Sequence, residues 1–103
     1  MRPGPMKQLV ARYYGLMPRN TTAGWRLLGP NLKRQGYRSY TRFWRTIRSV
    51  GVSNLRADAK ARTVTATVTF LTTNGVRSVE RHRFGLVTTP DGSGLLIDTD
   101  RLL

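Results

Sequence analysis

The chain has 103 residues, the length of a single domain, with no cysteine and only one histidine. These counts exclude a disulfide framework, a cysteine-ligated zinc and the usual multi-histidine metal sites. The formal net charge is +13, from 18 basic and 5 acidic residues, which predicts attraction to polyanions such as nucleic acid, anionic lipid or acidic wall polymer. Arginine outnumbers lysine 15 to 3, a bias that GC-rich coding would also produce.

Residues 1–5 are predicted to form a linker or a disordered N-terminus, and residues 6–103 to form the domain. No apolar run in the chain approaches the roughly 20 residues that span a bilayer. A first helix is predicted to end near Gly15 and Pro18. Its apolar residues follow helical spacing and are expected to face the core: Met6, Leu9, Val10, Tyr13 and Met17.

A second, short helix is predicted over Ala23–Leu28, with Trp25 on its inward face. Its N-cap is expected to be one of three polar residues: Asn20, Thr21 or Thr22. Gly29 and the following proline end this helix, and one more helical turn is predicted over Asn31–Gln35.

The third helix, within Tyr37–Val52, is predicted to organise the fold. Four apolar residues there follow the i, i+3, i+4, i+7 spacing of one helical face: Tyr40, Phe43, Trp44 and Ile47. Ser39 is the expected N-cap. We expect Phe43 and Trp44 to be buried between the helices and a sheet.

Four antiparallel strands are predicted after this helix: Val50–Ala59, Thr63–Thr72, Val76–Thr88 and Leu95–Thr99. The second strand alternates cleanly, with apolar residues on one face and threonines on the other. Asn74-Gly75 predicts a two-residue hairpin turn, and Pro90–Gly94 predicts another turn. Helices followed by a hairpin-connected antiparallel sheet predict an α+β domain.

Several segments stand in an order and at spacings typical of one family: Tyr13–Pro18, Thr22–Leu28, Ser39–Tyr40, Phe43–Trp44, Ile47, Val50, Val52, Thr63–Val68, Asn74–Gly75 and Gly94–Asp98. Over about Met6–Leu103 the chain resembles small NTF2-like domains of actinobacteria, which often form the extracytoplasmic end of membrane-anchored serine/threonine protein kinases. The resemblance implies a cone, in which three N-terminal helices pack on a curved four-stranded antiparallel sheet and leave a hollow. It also implies a non-enzymatic sensory or binding role in signalling outside the membrane, and it supplies no catalytic residue, metal or cofactor.

A ligand in such a hollow would contact aromatic side chains with polar tips and the polar pair of the third strand. Strand parity places Glu80 and His82 on the inward face together with Phe84. The candidate ligand-binding residues are therefore Tyr13, Trp25, Tyr40, Glu80 and His82. An aromatic set of this kind more often forms core. One alternative is a small isomerase or hydrolase that uses Glu80 and His82 as a base and its orienting partner. The other is a basic protein that binds nucleic acid or another polyanion.

Five arginines are candidates for binding a polyanion: Arg42 and Arg45 on the third helix, and Arg77, Arg81 and Arg83 on the outward face of the third strand. The aromatic residues near the helical arginines are committed to the core, and no nucleic-acid motif occurs. We therefore expect a small ligand, a protein, an anionic polymer or a lipid surface as partner rather than a specific nucleic acid. The threonine face of Thr63–Thr69 is expected to be flat and uncharged, which would suit a homodimer.

Overall fold

The computed structural model describes all 103 residues, as four helices followed by four strands. The helices are α1 (Pro3–Leu16), α2 (Thr21–Arg26), α3 (Pro30–Lys33) and α4 (Tyr37–Arg45). The strands are β1 (Ile47–Asp58), β2 (Thr63–Thr72), β3 (Arg77–Thr88) and β4 (Leu95–Leu102). They pair antiparallel in chain order, and the helices pack on one face of the sheet. The predicted α+β class is confirmed, and α3 overlaps the further helical turn that was predicted over Asn31–Gln35.

Helix α1 begins at Pro3, so residues 3–5, which were predicted to belong to a linker, lie in its first turn. Proline is tolerated there because the N–H groups of the first turn have no helical partner. The predicted inward face is confirmed, since all five of its residues are buried: Met6, Leu9, Val10, Tyr13 and Met17. Tyr14 is buried as well, with its ring 5.8 Å from the ring of Phe84. None of the four helices has the length and hydropathy that a membrane crossing requires.

The segment that joins α2 to α3 is hydrogen-bonded to the edge strand β4. The N–H of Gly29 donates to the carbonyl of Ile97 (2.7 Å), and the N–H of Ile97 donates to the carbonyl of Leu27 (2.8 Å). Asp98 accepts bonds from the backbone N–H (2.9 Å) and the side-chain amide (2.8 Å) of Asn31, at the start of α3. These bonds fix the short helices against the sheet.

The caps of the helices were predicted in part. Asn20 caps α2, because its side-chain oxygen accepts from the N–H of Ala23 (3.1 Å). The prediction of Ser39 as the cap of α4 was wrong. Gly36 precedes α4 with φ at +85°, a left-handed conformation that glycine adopts without a steric penalty, and Ser39 already lies inside the helix.

Helix α4 buries only part of its predicted apolar face. Tyr40 and Trp44 are buried, but Phe43 is 46% exposed, so the expectation that it lies between the two layers was wrong. The helix ends at Arg45, and Ile47 is buried as the first residue of β1 instead of the last residue of the helical stripe. Phe43 therefore lies at the border of the core, where its ring contacts Trp44 and Phe70.

The sheet follows the predicted alternation most closely in β2, where the inward residues are all buried: Val64, Ala66, Val68 and Phe70. Strand β1 begins three residues earlier than predicted, and β4 continues past Thr99 to Leu102. The loop between β2 and β3 has four residues, 73–76, instead of the predicted two-residue turn. Its only left-handed residue is Gly75, with φ at +87°.

We predict that Gly29→Ala destabilises the fold by about 1–3 kcal/mol, the usual cost of adding atoms to a packed site. A β-carbon at Gly29 would lie 3.0 Å from both Cβ and Cγ of Asp98, and Cβ is fixed by the backbone of β4. Urea denaturation measures the change. Gly15→Ala is the control, because nothing lies within 4 Å of its β-carbon and alanine favours the helix. Equal stability of the two variants would contradict the prediction.

Candidate functional site

A cavity of about 520 Å³ lies between the helices and the inner face of the sheet. This volume falls within the range of about 300–1,000 Å³ that is typical of small-molecule sites. Eleven of its 18 lining residues are hydrophobic. Seven of the lining residues are aromatic: Tyr13, Tyr14, Tyr40, Phe43, Trp44, Phe70 and Phe84. Phe43, Gln35 and Thr46 are exposed, so the cavity meets solvent beside them.

The structure places four of the five candidate ligand-binding residues in the wall of this cavity: Tyr13, Tyr40, Glu80 and His82. The hydroxyl of Tyr13 donates to the hydroxyl of Tyr40 (3.1 Å), which fixes both rings in the wall. Trp25 does not line the cavity. Its ring contacts Tyr37 and Tyr40 instead, and the ammonium of Lys33 lies 5.8 Å from the ring centre.

Glu80, His82 and Asp100 form a histidine–carboxylate cluster in the cavity wall. The Nε2 atom of His82 is 2.8 Å from Oε1 of Glu80, and its Nδ1 atom is 2.6 Å from Oδ1 of Asp100. The hydroxyl of Ser78 donates to Oε2 of Glu80 (2.9 Å). The imidazole stacks on the ring of Phe84, with the ring centres 5.7 Å apart and the planes at 8°. Both ring nitrogens of the only histidine therefore face carboxylates.

Sequence reasoning missed Asp100, because the last strand was predicted to end at Thr99. In the structure β4 continues, and Asp100 is paired with Phe84 on the inner face. The available signal was the spacing of Asp98 and Asp100, two acidic residues two positions apart in a basic chain. Asp98 occupies an irregularity in the β3–β4 register and binds Asn31, so that only Asp100 reaches the cavity.

The geometry of the cluster favours the imidazolium form of His82. Burial lowers the pKa of His82, but the hydrogen bonds to Asp100 and Glu80 outweigh it, so the pKa is raised above its ordinary value of 6.5. The bond from His82 lowers the pKa of Glu80 below 4.5. A neutral imidazole has one N–H and could donate to only one carboxylate, whereas the imidazolium donates to both.

Tyr14 lies beside the cluster, and its hydroxyl makes no hydrogen bond within the protein. Burial raises its pKa, and the negative charges of Asp100 and Glu80 raise the pKa further. Tyr14 is therefore a neutral phenol that lines the cavity. No group of three His, Cys, Asp or Glu side chains is arranged to hold a metal ion, because the two carboxylates of the cluster flank opposite sides of one imidazole.

The five candidate arginines for polyanion binding are all exposed, but they lie on two different surfaces. Arg42 and Arg45 are on α4, above the inner face of the sheet. The other three lie on the outer face, as strand parity predicted: Arg77, Arg81 and Arg83.

The outer face of the sheet also carries two arginines that sequence reasoning missed. The strand register aligns Arg56, Arg83 and Arg101 in one row across the sheet, with Thr65 between the first two. In the adjacent row the guanidinium of Arg81 donates to the hydroxyl of Thr67 (3.1 Å). The expectation that the threonine face is uncharged was therefore wrong. No lysine or arginine of the chain forms an ion pair, since the only ion pairs are those of His82.

The fold and the cavity define this chain as an α+β domain with an aromatic hollow between its helices and a four-stranded antiparallel sheet. The sequence matches no protein-family model, no curated protein and no solved structure.

We predict that the cluster stabilises the fold most between about pH 4.5 and 6.5. A histidine whose pKa is raised in the folded state makes its full contribution to the unfolding free energy below pH 6.5. This contribution is lost as the pH rises through the pKa of the folded state. Glu80, whose pKa is lowered in the folded state, stabilises the fold above pH 4.5. This stabilisation is lost as the pH falls through the folded pKa. The difference in unfolding free energy between the wild type and His82→Gln, measured in urea from pH 3 to 9, should therefore peak in this window.

Asp91→Asn is the control for the acid limb of this curve. Its hydrogen bonds from Thr89 and Ser93 lower the pKa of Asp91 to about 2, and it lies in the β3–β4 turn, away from the cavity. Above pH 4, the difference in unfolding free energy between the wild type and Asp91→Asn should not change with pH. A His82→Gln difference that is flat from pH 4.5 to 8 would contradict the assignment of an imidazolium to the cluster.

Proposed function

We propose that this chain is a non-enzymatic ligand-binding domain of NTF2-like type, and that it holds a small molecule in the aromatic cavity. The observation that carries the proposal is a cavity of about 520 Å³ that is lined mainly by hydrophobic residues, with charged groups only in the histidine–carboxylate cluster. Small-molecule sites typically combine an apolar wall with a few convergent polar groups that fix the orientation of the ligand.

The NTF2-like part of the proposal is supported by the order of the elements. The helices precede a β1-β2-β3-β4 meander, cover one of its faces and leave a hollow. Strand β1 has two register irregularities against β2, after Ile47 and after Ser53, and irregularities of this kind bend strands. A sensory role as the extracytoplasmic part of a membrane-anchored signalling protein is the context that this resemblance favours.

The geometry of the cluster favours binding over the alternative of an isomerase or hydrolase. A general base needs a lone pair that is directed at the substrate. Both nitrogens of His82 are bonded to carboxylates, and both oxygens of Glu80 are bonded to His82 and Ser78. A proton transfer by His82 would first have to break one of these bonds.

We predict that Leu32→Trp weakens the binding of 1-adamantanol, a neutral apolar probe, by about tenfold or more, equivalent to about 1.4 kcal/mol. Leu32 lines the cavity from α3, so that a larger side chain takes the space of the ligand. Isothermal titration calorimetry measures the affinity. Leu71→Trp is the matched control, because Leu71 is half-buried and does not line the cavity. Equal weakening by both substitutions, or a wild type that does not bind the probe, would contradict the proposal.

A second candidate function is the attachment of the outer sheet face to an anionic lipid surface. Its five arginines are exposed and form no ion pairs. Val79 lies on the same face with 62% exposure, and Val76, in the adjoining hairpin loop, is 56% exposed. The combination of arginines with exposed valines suits a layer of lipid headgroups. The face carries no aromatic residue on which nucleic-acid bases could stack.

We predict that the triple substitution Arg56→Gln, Arg83→Gln and Arg101→Gln weakens sedimentation with phosphatidylcholine–phosphatidylglycerol vesicles about a hundredfold at 0.15 M salt. A basic residue near an anionic surface contributes about 1 kcal/mol. A control with the same loss of charge replaces three exposed arginines of the helical layer: Arg12, Arg26 and Arg38. If both triple variants lose the same amount of vesicle binding, the protein is attracted to the vesicles by its net charge alone. Equal affinity for soluble polyphosphate would identify an acidic polymer instead of a lipid surface.

A further inference from the structure

The cavity carries a charge opposite to that of the surrounding chain. No lysine or arginine lines it, and its only ionisable groups with a full charge are Glu80, His82 and Asp100. Two carboxylates and one imidazolium leave a single net negative charge in the wall, within a chain whose formal charge is +13. A charged group that enters the cavity therefore meets a net negative charge in the immediate wall, whereas the chain as a whole is positive.

One carboxylate oxygen of the cluster is free to accept a bond. Glu80 uses one oxygen for His82 and the other for Ser78, whereas Asp100 uses only Oδ1. The Oδ2 atom of Asp100 makes no hydrogen bond within the protein, and the side chain is 34% exposed. An N–H group of a ligand can reach this oxygen without displacing an existing contact of the cluster.

Aromatic rings surround the same end of the cavity. Phe84 stacks on His82, the ring of Phe70 lies 6.4 Å from it, and Tyr14 contacts Phe84. The faces of aromatic rings are electron-rich and attract cations, most strongly where water is excluded. The hydroxyl of Tyr14 adds a neutral polar group without a partner.

We infer that the cavity selects an apolar molecule that carries a protonated amine. The ammonium group bonds to Oδ2 of Asp100, and the apolar body lies against the aromatic wall formed by α1 and α4. This inference rests on the proposed ligand-binding function and adds the chemical class of the ligand. It runs against the expectation from net charge, because a chain with a formal charge of +13 attracts anions at long range.

The test compares three probes with the same hydrocarbon cage and different charge: 1-adamantylammonium, 1-adamantanol and 1-adamantanecarboxylate. Binding to the full chain is measured by isothermal titration calorimetry at pH 7 and 0.15 M salt. We expect the ammonium to bind at least about tenfold more tightly than the alcohol, since hydrogen bonds to charged groups are about twice as strong as neutral ones. The carboxylate is expected to bind most weakly.

Asp100→Asn removes the charge while keeping the shape and an acceptor for His82. It should lower the affinity for the ammonium about tenfold and the affinity for the alcohol by much less. If Asp100→Asn fails to fold, Glu80→Gln takes its place in the test, and it should also lower the affinity for the ammonium. Asp58→Asn is the matched control, because this exposed carboxylate at the end of β1 bonds only to the N–H of Ala61.

Two results would overturn the inference while leaving the ligand-binding proposal intact. The first is an alcohol or a carboxylate that binds the wild type as tightly as the ammonium. The second is a loss of ammonium affinity in Asp58→Asn that equals the loss in Asp100→Asn. Failure of all three probes to bind the wild type would instead overturn the ligand-binding proposal, and this inference with it.

Discussion

The fold depends on covering the apolar inner face of β2 and β3. Val64, Val68 and Phe84 on this face are almost fully buried. Tyr14 of α1 packs on Phe84, and Trp44 of α4 packs on Phe70. Burial of such residues is the main favourable contribution to the stability of a domain of this size. The cover is incomplete, because α3 has four residues and α4 has nine. The cavity is the part of the inner face that these short helices leave open.

The edge strand β4 supplies both the carboxylate that holds the short helices and the carboxylate that lines the cavity. Asp98 and Asp100 are two residues apart, yet a register irregularity between β3 and β4 separates their roles. Asp98 binds Asn31 and holds the short helices to the sheet. Asp100 lines the cavity and binds His82 through one oxygen, while its other oxygen has no partner within the protein. The attachment of the helices and the composition of the cavity wall thus depend on the same few residues of one strand.

Charge is segregated between the two faces of the sheet. The outer face carries arginines without ion-pair partners, whereas the inner face carries the histidine–carboxylate cluster. Strand parity produces this separation, since Glu80 and His82 alternate with Arg81 and Arg83 along β3. A single strand therefore presents arginines on one side of the sheet and the histidine–carboxylate cluster on the other.

The sequence by itself determined the class of the fold, the order of the elements, the inward face of α1 and the alternation of β2 and β3. These features follow from the periodicity of side chains along one segment, which does not depend on distant residues. Only the tertiary structure decided that Phe43 lies at the border of the core, that Asp100 completes the cluster and that Arg56 and Arg101 join Arg83 in one row. Each of these depends on where a helix ends or how strands align, and residues far apart in the sequence set those positions together.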